Sequence, residues 1–312
     1  MSQMRIVITG GTGLLGHALA DALVASDNEV VLLSRSGTPA PPAGQVWTHA
    51  RGARTLRWSG TDDTRGWAQV VDGCDAVVHL AGESIASGRW TEARKARLRE
   101  SRVFTTRALV AAIAEAATPP RALLSGSAVG YYGPRGDTKL VEASSPGDDF
   151  LARLCVEWEG EAARAEAAGT RVCLLRTGVV LSRRDGALAK MLLPFRLFAG
   201  GPVGDGSQYL SWIHLEDWVA LARWLLAGTE GGPFNLTAPE PVTNAAFARA
   251  AAGALSRPSW LPVPGFALRA LMGEMADALL LGGQRVVPQR ALADDFAFAF
   301  PTIDLALADL VG

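Results

Sequence analysis

Glycines recur at short spacing in the segment Thr9–Gly16, which has the sequence Thr-Gly-Gly-Thr-Gly-Leu-Leu-Gly. In a loop that holds a dinucleotide pyrophosphate, the first glycine allows a tight turn, the second lets the backbone approach the phosphates, and the third lets helix and strand pack closely. The N–H groups that open the next helix add unpaired donors and a partial positive charge. The alternative is a tight turn without a ligand. The predicted pyrophosphate-binding residues are Gly10, Thr12, Gly13, Leu14, Leu15 and Gly16.

The residues at the end of the second predicted strand favour NADP(H) over NAD(H). Ser34 closes this strand and Arg35 follows it. An acidic residue here would bind the ribose 2′-hydroxyl, whereas a serine and an arginine suit a 2′-phosphate. Arg51 and Arg54, after the next loop, could assist. The alternative is that Arg35 is a solvated loop cation. The cofactor expected from these residues is NADP(H).

Cysteines and histidines do not have the spacing of a metal site or of a disulfide framework. The three cysteines and four histidines are Cys74, Cys155, Cys173, His17, His49, His79 and His214. Because the cysteines are odd in number and far apart, they suit a reducing compartment. We expect no metal ion.

The elements that must position these residues alternate between apolar runs and amphipathic segments, which is typical of βαβ units and a parallel sheet. The predicted strands are Arg5–Thr9, Glu29–Ser34, Thr55–Ser59, Ala76–Leu80, Arg121–Ser125, Arg171–Arg176 and the short run 234–237. The predicted helices are His17–Ala25, Thr91–Ala117, Phe150–Ala168 and His214–Ala227, with further helices after Pro241.

This pattern predicts an α/β fold: a Rossmann-type doubly wound parallel sheet with a smaller, mainly helical C-terminal lobe. Residues 1–177 and 211–240 are expected to form the NADP-binding domain. Residues 178–210 and 241–312 are expected to form the lobe that contributes the substrate site.

Composition excludes several classes of protein. The chain has 312 residues, 49% hydrophobic and 20% charged, with a formal net charge of −1. It shows no basic stripe for nucleic acid, no run long enough to span a membrane and no signal peptide at its start. We expect a cytoplasmic monomer or homodimer that binds a small molecule and neither nucleic acid nor membrane.

Several separated motifs together resemble the extended short-chain dehydrogenase/reductases of the epimerase/dehydratase kind. Besides the glycine loop, they are Val78-His-Leu-Ala-Gly82, Leu124-Ser-Gly-Ser-Ala128 and Arg176-Thr-Gly-Val-Val-Leu181. A closer match, to an atypical subgroup of epimerase-family proteins of unknown substrate, rests on Leu80–Ile85, Gly88–Trp90, Glu100–Arg102, Ser211–His214, Gly232–Thr237 and the segment from Leu261 to Pro288. The resemblance implies further cofactor contacts at Leu80, Ala81, Gly82 and Ser125, and at Arg102, where the parent family has asparagine.

The parent family carries out proton transfer with a serine and a Tyr-x-x-x-Lys pair on the helix before the sixth strand. When that helix is registered through Glu159, Leu151 stands at the tyrosine position and Cys155 at the lysine position. Leucine has no titratable group, and a thiol is not a three-donor cation. The atypical subgroup shares the Cys and Arg replacements, so the resemblance implies a subgroup trait.

Three side chains are the remaining candidates for catalysis. Ser127 stands at the position of the family serine and could hydrogen-bond a substrate carbonyl, or cap a turn. Tyr131 could supply a proton or form a packed wall of the cleft. Glu83 could act as an acid if burial raised its pKa, or cap the next helix. Trp90, Trp212 and Trp260 could line an apolar substrate pocket, although core packing is the default for each.

Two functions follow from these residues. The first is an NADP(H)-dependent oxidoreductase or epimerase-like enzyme that acts on a small carbonyl or sugar-type substrate. The second is a non-catalytic NADP(H)-binding sensor or interaction protein, which the missing Tyr/Lys pair favours.

Overall fold

The computed structural model describes residues 3–34, 47–48, 53–58, 67–183 and 186–311. The strands are β1 (Arg5–Thr9), β2 (Glu29–Ser34), β3 (Trp47–Thr48), β4 (Arg54–Arg57), β5 (Ala76–His79), β6 (Ala122–Ala128), β7 (Lys139–Leu140), β8 (Arg171–Thr177), β9 (Val179–Leu181), β10 (Tyr209–Leu210), β11 (Trp212–His214), β12 (Gly232–Leu236), β13 (Val242–Thr243) and β14 (Arg285–Val286).

The helices are α1 (Leu14–Val24), α2 (Glu92–Arg99), α3 (Thr105–Glu115), α4 (Phe150–Ala163), α5 (Ala187–Arg196), α6 (Leu215–Ala227), α7 (Asn244–Leu255), α8 (Gly265–Met272), α9 (Glu274–Ala276), α10 (Gln289–Ala293) and α11 (Ile303–Val311). Two π-helical turns cover Glu100–Phe104 and Asp277–Leu281. Three short 3₁₀ helices cover Ala68–Val70, Val129–Tyr132 and Arg164–Ala168.

Among the described residues, the central sheet has eight strands in the order β12-β8-β6-β5-β1-β2-β4-β3, and of these only the edge strand β3 is antiparallel to its neighbour. From β1 the chain first builds outward through β2 and β4, and then returns to build the other half from β5. The order therefore reverses between β1 and β5. In open α/β sheets ligands bind in the crevice at this switch point, outside the carboxyl ends of the strands. The predicted α/β Rossmann-type fold is confirmed.

Alternation along the strands builds two apolar layers, one on each face of the sheet. Ile6 and Ile8 pack with α1 and α6, whereas Val7 packs on the opposite face with α3 and the end of α4. All three side chains are fully buried. Because successive side chains of a strand point to opposite faces, a strand covered on both sides is apolar throughout.

Bounds agree for β1 and β2, and the other predicted elements differ from the structure by a few residues at one or both ends. Two of these differences have a clear physical reason. The fifth predicted strand ends at Ser125, whereas β6 continues to Ala128 because β8 pairs with it as far as Ala128–Thr177. The helix predicted over Thr91–Ala117 is continuous in direction, but the π-helical turn separates α2 from α3. Hydrophobic periodicity does not reveal the single extra residue that such a turn contains.

The C-terminal part of the chain is mainly helical, as expected. A third apolar cluster joins α5, α7 and α11, with Leu192, Phe247 and Leu307 at its centre. The domain boundaries inferred from the sequence stay a prediction. Over the described residues, no helix is both long enough and apolar enough to cross a membrane.

Candidate functional site

Two glycines of the loop after β1 are required by close backbone packing. Gly10 has a φ of +69°, and a Cβ there would lie 2.6 Å from the carbonyl oxygen of Leu80. A Cβ on Gly16 would lie 2.4 Å from the carbonyl oxygen of Gly10. Both distances are far shorter than real Cβ contacts. The loop therefore lies directly against the end of β5 and against its own helix.

Gly13 differs from these two because a side chain there would meet almost nothing. Its backbone is extended (φ −81°, ψ 169°), and the nearest atom to a Cβ would be Gly10 O at 3.4 Å. Gly13 is the N-cap of α1, where it offers no capping side chain, and it is exposed together with Thr12. Leu14 and Leu15 continue the helix with no acidic side chain in its first turn. The open backbone, free of competing anions, fits a pyrophosphate at the helix N-terminus.

The segment after β5 is bonded to the end of β1. Leu80 N donates to Thr9 O (3.2 Å), and Ala81 N donates to Thr9 Oγ1 (3.3 Å). Gly82 comes next, and a Cβ on it would lie 3.2 Å from Arg102 Cζ. The structure therefore brings these predicted cofactor-binding residues against the glycine loop.

His79 links the end of β1 to α3 by hydrogen bonds, and sequence reasoning did not single it out. Thr106 Oγ1 donates to Arg102 O (2.6 Å), so it must accept from His79 Nε2 (2.9 Å). His79 Nδ1 is then the acceptor for the Thr9 hydroxyl at 2.6 Å. Hydrogen bonds thus run in one direction from Ala81 N through Thr9, His79 and Thr106 to Arg102 O. Burial lowers the pKa of His79 to about 3, so the ring is neutral. A histidine inside the apolar run of β5 was the signal in the sequence.

The residues proposed to select the 2′-phosphate are described only in part. Ser34 closes β2 and is buried, and its carbonyl accepts from Trp58 N (3.0 Å). Arg35 and Arg51 lie outside the described residues. Selection of NADP(H) by this pair therefore stays a prediction.

Arg102 is directed at backbone carbonyls. Its guanidinium donates to Glu83 O (2.9 Å) and Leu98 O (3.1 Å), and it lies 5.4 Å from the ring centre of Trp158. Burial lowers its pKa. These bonds hold the chain just beyond Gly82 in place. The predicted contact of Arg102 with the cofactor stays a prediction.

Ser127 lies within β6 and its hydroxyl donates to Glu159 Oε1 (2.6 Å). Arg176 of β8 binds both oxygens of the same carboxylate, each at 2.8 Å. All three side chains are buried. Ser127 therefore hydrogen-bonds to the buried ion pair of Glu159 and Arg176. Ser125, two residues earlier, is fully buried, with its hydroxyl 3.5 Å from Gly126 O.

The ion pair continues into a network that the sequence did not reveal. Arg176 Nη1 donates to Tyr132 OH (3.0 Å) and to Glu142 O (3.0 Å), and Tyr132 OH donates to Asn235 Oδ1 (2.7 Å). Burial raises the pKa of Tyr132 to about 12, which makes it a poor proton donor. Charged residues inside the apolar patterns of β8 and α4 were the available signal.

Tyr131 is half-buried and packs against cationic and aromatic neighbours. Its ring centre lies 3.4 Å from Arg176 Cζ, and its ring meets that of Tyr132 edge-on at 5.2 Å. This geometry describes a packed wall at the end of β6. A catalytic role for Tyr131 stays a prediction.

The helix that carries the Tyr-x-x-x-Lys pair in the parent family presents Leu151 and Cys155 here. Leu151 lies beside Gly130. A Cβ built on Gly130 would lie 3.3 Å from the Cβ of Leu151. The Cys155 thiol donates to Ala128 O (3.8 Å) and lies beside Ser127. Burial raises the pKa of Cys155 to about 12, so this thiol is neutral.

Glu83 is paired with cations. One carboxylate oxygen contacts the buried Arg94 and the other lies 3.7 Å from Arg97 Nε. The cap of α2 is Thr91, whose hydroxyl accepts from Arg94 N (3.2 Å), so the alternative role of Glu83 as a helix cap is wrong. Because its carboxylate is bound by two arginines, a role for Glu83 as an acid has no support from its contacts and stays a prediction.

No metal site is visible in the parts of the chain that the structure describes, since no three His, Cys, Asp or Glu side chains there could hold an ion. His214 caps α6, where its Nδ1 accepts from Glu216 N (3.2 Å), and its ring stacks on Phe300 with centroids 3.8 Å apart.

Family comparison assigns most of the chain. Residues 6–237 match the NAD dependent epimerase/dehydratase family. Residues 263–310 match a second family, described as Domain of unknown function (DUF1731). The first match covers every residue of the candidate site described above.

Similar proteins cover nearly the whole chain. It is 41% identical over 307 residues to the epimerase family protein ML0860 of Mycobacterium leprae, with 97% of this chain and 94% of that protein covered. It is 38% identical over 313 residues to the human epimerase family protein SDR39U1, with 99% and 100% covered. The crystal structure of human SDR39U1 (isoform 2) with NADPH has a TM-score of 0.87 and 36% identity, with 99% of each chain covered.

Proposed function

The chain belongs to the NAD dependent epimerase/dehydratase family, and we propose that it binds NADP(H) and acts as an oxidoreductase or epimerase-like enzyme. Its substrate is a small carbonyl or sugar-type compound. The observation that carries this proposal is the cradle at Gly13, where exposed backbone opens a helix and a side chain would enter open space. The NADPH bound to the similar human protein supports the choice of cofactor.

The residues of the site have different roles in binding the cofactor. Gly10 and Gly16 let the loop pack, Gly13 leaves room for the phosphates, and the α1 N-terminus supplies donors. His79 and Arg102 hold the segment after β5 against the loop. When bound, NADP(H) supplies or accepts a hydride, which carries both electrons of a C–H bond.

Ser127 is the side chain best placed to meet a substrate oxygen. Its hydrogen goes to Glu159 in the observed arrangement, so its lone pairs can accept from a substrate hydroxyl. To donate to a carbonyl, the Ser127 hydroxyl must rotate away from Glu159. In reduction, the carbonyl carbon would take the hydride and its oxygen would take one proton from water, which gives an alcohol. In oxidation the alcohol would lose the same hydride to the cofactor and the same proton to water.

A second candidate function is a non-catalytic NADP(H)-binding sensor or interaction protein. The contacts of Glu83, Tyr132 and Cys155 favour it, because each of these groups is paired or held neutral. A screen of carbonyl and alcohol substrates that follows NADPH absorbance separates the two functions. Turnover with any substrate supports the enzyme.

Calorimetric titration with NADPH and NADH tests the cofactor proposal. We expect NADPH to bind at least about tenfold more tightly, a difference of about 1.4 kcal/mol, and Arg35→Asp to reduce or reverse that difference. Gly13→Val should abolish binding of both while the unfolding temperature stays unchanged, because its backbone angles suit any residue.

The matched control is Gly160→Val, on the exposed side of α4, where a Cβ also meets nothing within 4 Å. It should bind NADPH like the unmodified protein. If Gly13→Val keeps the unmodified affinity, the cofactor does not lie on this loop. Equal affinities for NADPH and NADH in the unmodified protein would exclude the predicted selection.

A further inference from the structure

Arg102 carries a positive charge that forms no ion pair in the part of the chain that the structure describes. Its guanidinium donates to neutral oxygens: Leu98 O (3.1 Å), Glu83 O (2.9 Å) and Ser101 Oγ (3.3 Å). Carbonyl and hydroxyl oxygens satisfy the donors but carry no net charge. Because arginine stays protonated in proteins, the contacts of Arg102 leave its charge uncompensated.

The carboxylate whose charge reaches Arg102 is that of Glu83, and two other arginines already share it. One of its oxygens contacts Arg94, and the other lies 3.7 Å from Arg97 Nε. We call Glu83, Arg94, Arg97 and Arg102 the arginine cluster. Three guanidinium groups stand against one carboxylate in it, so the cluster has an excess of positive charge.

Other titratable groups at the ends of β5 and β6 do not offset this excess. Burial raises the pKa of Cys155, whose thiol neighbours Arg102, to about 12, so the thiol is neutral. Burial lowers the pKa of His79 to about 3, so this ring is neutral as well. Arg176 binds both oxygens of the Glu159 carboxylate. Each of these groups therefore adds no negative charge to balance Arg102.

Arg102 lies on the β6 side of the glycine loop. A Cβ on Gly82 would lie 3.2 Å from Arg102 Cζ, and this carbon lies 5.4 Å from the ring centre of Trp158. Trp158 in turn packs on β6, since a Cβ on Gly126 would lie 2.9 Å from its Cη2. The guanidinium is therefore held between the segment after β5 and the α4 side chain that covers β6.

The two halves of a dinucleotide lie on opposite sides of the switch point of the sheet. The proposed pyrophosphate site at Gly13 follows β1, and the predicted 2′-phosphate site at Ser34 is at the end of β2. The adenosine half is therefore expected over β1 and β2. The nicotinamide half is then expected over the ends of β5 and β6, which is the side of Arg102.

The backbone holds Arg102 in one place before any ligand binds. Arg102 is the middle residue of the π-helical turn Glu100–Phe104, and such turns often occur at functional sites. Its carbonyl accepts from Thr106 Oγ1 (2.6 Å) and from Thr105 Oγ1 (3.0 Å). A charge that is fixed in advance acts on a ligand without the cost of reorganisation.

We propose that Arg102 makes the site selective for the oxidation state of its cofactor, so that NADPH binds more tightly than NADP⁺. Loss of a hydride from NADPH leaves one positive charge on the nicotinamide ring, and the uncompensated charge of Arg102 repels it. This selectivity deepens the proposed function and rests on it. The occupancy of the site by NADPH then follows the ratio of NADPH to NADP⁺, whether the protein is an enzyme or a sensor.

Calorimetric titration of the full-length protein with NADPH, NADP⁺ and 2′,5′-ADP tests this selectivity. The last ligand is the adenosine half of the cofactor with its 2′-phosphate and without nicotinamide. We expect NADP⁺ to bind at least about tenfold more weakly than NADPH, because like charges repel strongly in a partly buried site. The ratio of the two affinities is compared because damage to the fold weakens both cofactors.

Arg102→Met should reduce this ratio at least about threefold, because it removes the charge and keeps a side chain of similar length. The affinity for 2′,5′-ADP should change less than about twofold, because this ligand does not extend to the β6 side. If Arg102→Met does not fold, Glu83→Gln decides the test. It removes the one carboxylate of the arginine cluster, so the preference for NADPH should grow at least about twofold.

Two variants are the controls. Arg102→Lys keeps the positive charge and should keep the ratio within about twofold of the unmodified value. Arg107→Met removes a half-exposed arginine of α3 that is paired with Glu161 (2.6 Å). It should also leave the ratio within about twofold, because solvent and salt screen an exposed charge.

Equal affinities for NADPH and NADP⁺ in the unmodified protein overturn the proposal. It is also overturned if Arg102→Met or, in its place, Glu83→Gln leaves the ratio unchanged, or if Arg102→Lys or Arg107→Met lowers the ratio as much as Arg102→Met. A fall in 2′,5′-ADP affinity that equals the fall in NADPH affinity would place Arg102 at the adenosine half and overturn it as well. Failure of the proposed function is a separate result, in which neither NADPH nor NADP⁺ binds.

Discussion

Two regions at the carboxyl edge of the sheet differ in what they expose. After β1, at Gly13, the backbone is exposed, whereas at the end of β6, at Ser127, the side chains are buried. Gly13 leaves space that a ligand can enter, and the α1 N-terminus faces that space. At the other end, Ser127 is bonded into the Glu159–Arg176 ion pair. The first end is formed to receive a ligand and the second is filled by the protein itself.

This difference indicates what the function of each end depends on. Binding of a dinucleotide depends on backbone shape, which a few glycines preserve. Proton transfer depends on a particular titratable side chain, and the groups around Ser127 are ion-paired or neutral. A protein can thus keep its cofactor site while the chemistry of the neighbouring site changes.

The largest effect that we expect comes from breaking the buried ion pair. Arg176→Met leaves the Glu159 carboxylate buried without a cation, which should lower the free energy of unfolding by about 3–5 kcal/mol. Urea unfolding measures this loss. NADPH affinity at a temperature where the variant is folded should change less than about threefold, a shift of about 0.65 kcal/mol.

The control for this prediction is Arg121→Met, which removes the exposed pair between Arg121 and Asp75. It should cost less than about 1 kcal/mol. Equal losses in the two variants would mean that the β6 end is no more rigid than the surface. A large loss of NADPH affinity in Arg176→Met would mean that the two ends are not independent.

The second effect concerns pH and the β1 end. Burial lowers the pKa of His79 from its ordinary value of 6.5 to about 3 in the folded protein. As the pH falls, the histidine of the unfolded chain binds a proton before the buried histidine of the folded protein does. The contribution of the neutral ring to the free energy of unfolding is therefore complete above pH 6.5 and is lost as the pH falls towards 3. Between these values the loss is about 1.4 kcal/mol per pH unit at most.

His79→Gln keeps a donor and an acceptor but does not titrate, so its free energy of unfolding should fall less steeply between pH 6.5 and pH 4.5. Urea unfolding at several pH values compares the slopes. His17→Gln, at a half-exposed histidine on α1, is the control and should keep the original slope. Parallel slopes for His79→Gln and the unmodified protein would contradict the neutral buried ring.

The smallest effect is expected at Cys155, and it becomes measurable once a substrate is known. Cys155→Ser should change turnover and NADPH affinity less than about twofold, because the thiol is neutral and a serine hydroxyl can also donate to Ala128 O. Ser127→Ala should reduce turnover at least about tenfold, as expected when a polarising group is lost. Circular dichroism checks that both variants fold. An inactive Cys155→Ser with a fully active Ser127→Ala would place the chemistry elsewhere.

Much of the fold follows from local patterns. The bounds of β1 and β2 and the glycine loop between sheet and helix are as predicted, because period-two burial and glycine spacing are properties of neighbouring residues. The family resemblance inferred from separated motifs is confirmed by the family match over residues 6–237.

The partners of the candidate side chains could not be predicted in the same way. Ser127 meets Glu159 across 32 positions of the chain, and His79 meets Thr9 across 70. Such contacts depend on which strands and helices become neighbours in three dimensions. The sequence leaves Glu83 open as an acid, because its pairing with Arg94 and Arg97 arises only when α2 packs against the segment after β5.

The π-helical turn Glu100–Phe104 has a consequence for anyone who exchanges parts of this protein with those of a relative. One added residue rotates the direction of the following side chains by about 100° around the helix axis. The buried face of α3 is therefore rotated by about 100° from the position that a continuous α-helix starting at α2 would give it. A chimaera that joins α2 of one protein to α3 of another must carry the whole turn from one parent. If one residue is dropped at the junction, either Leu98 or Leu109, both fully buried here, rotates out of its apolar cluster.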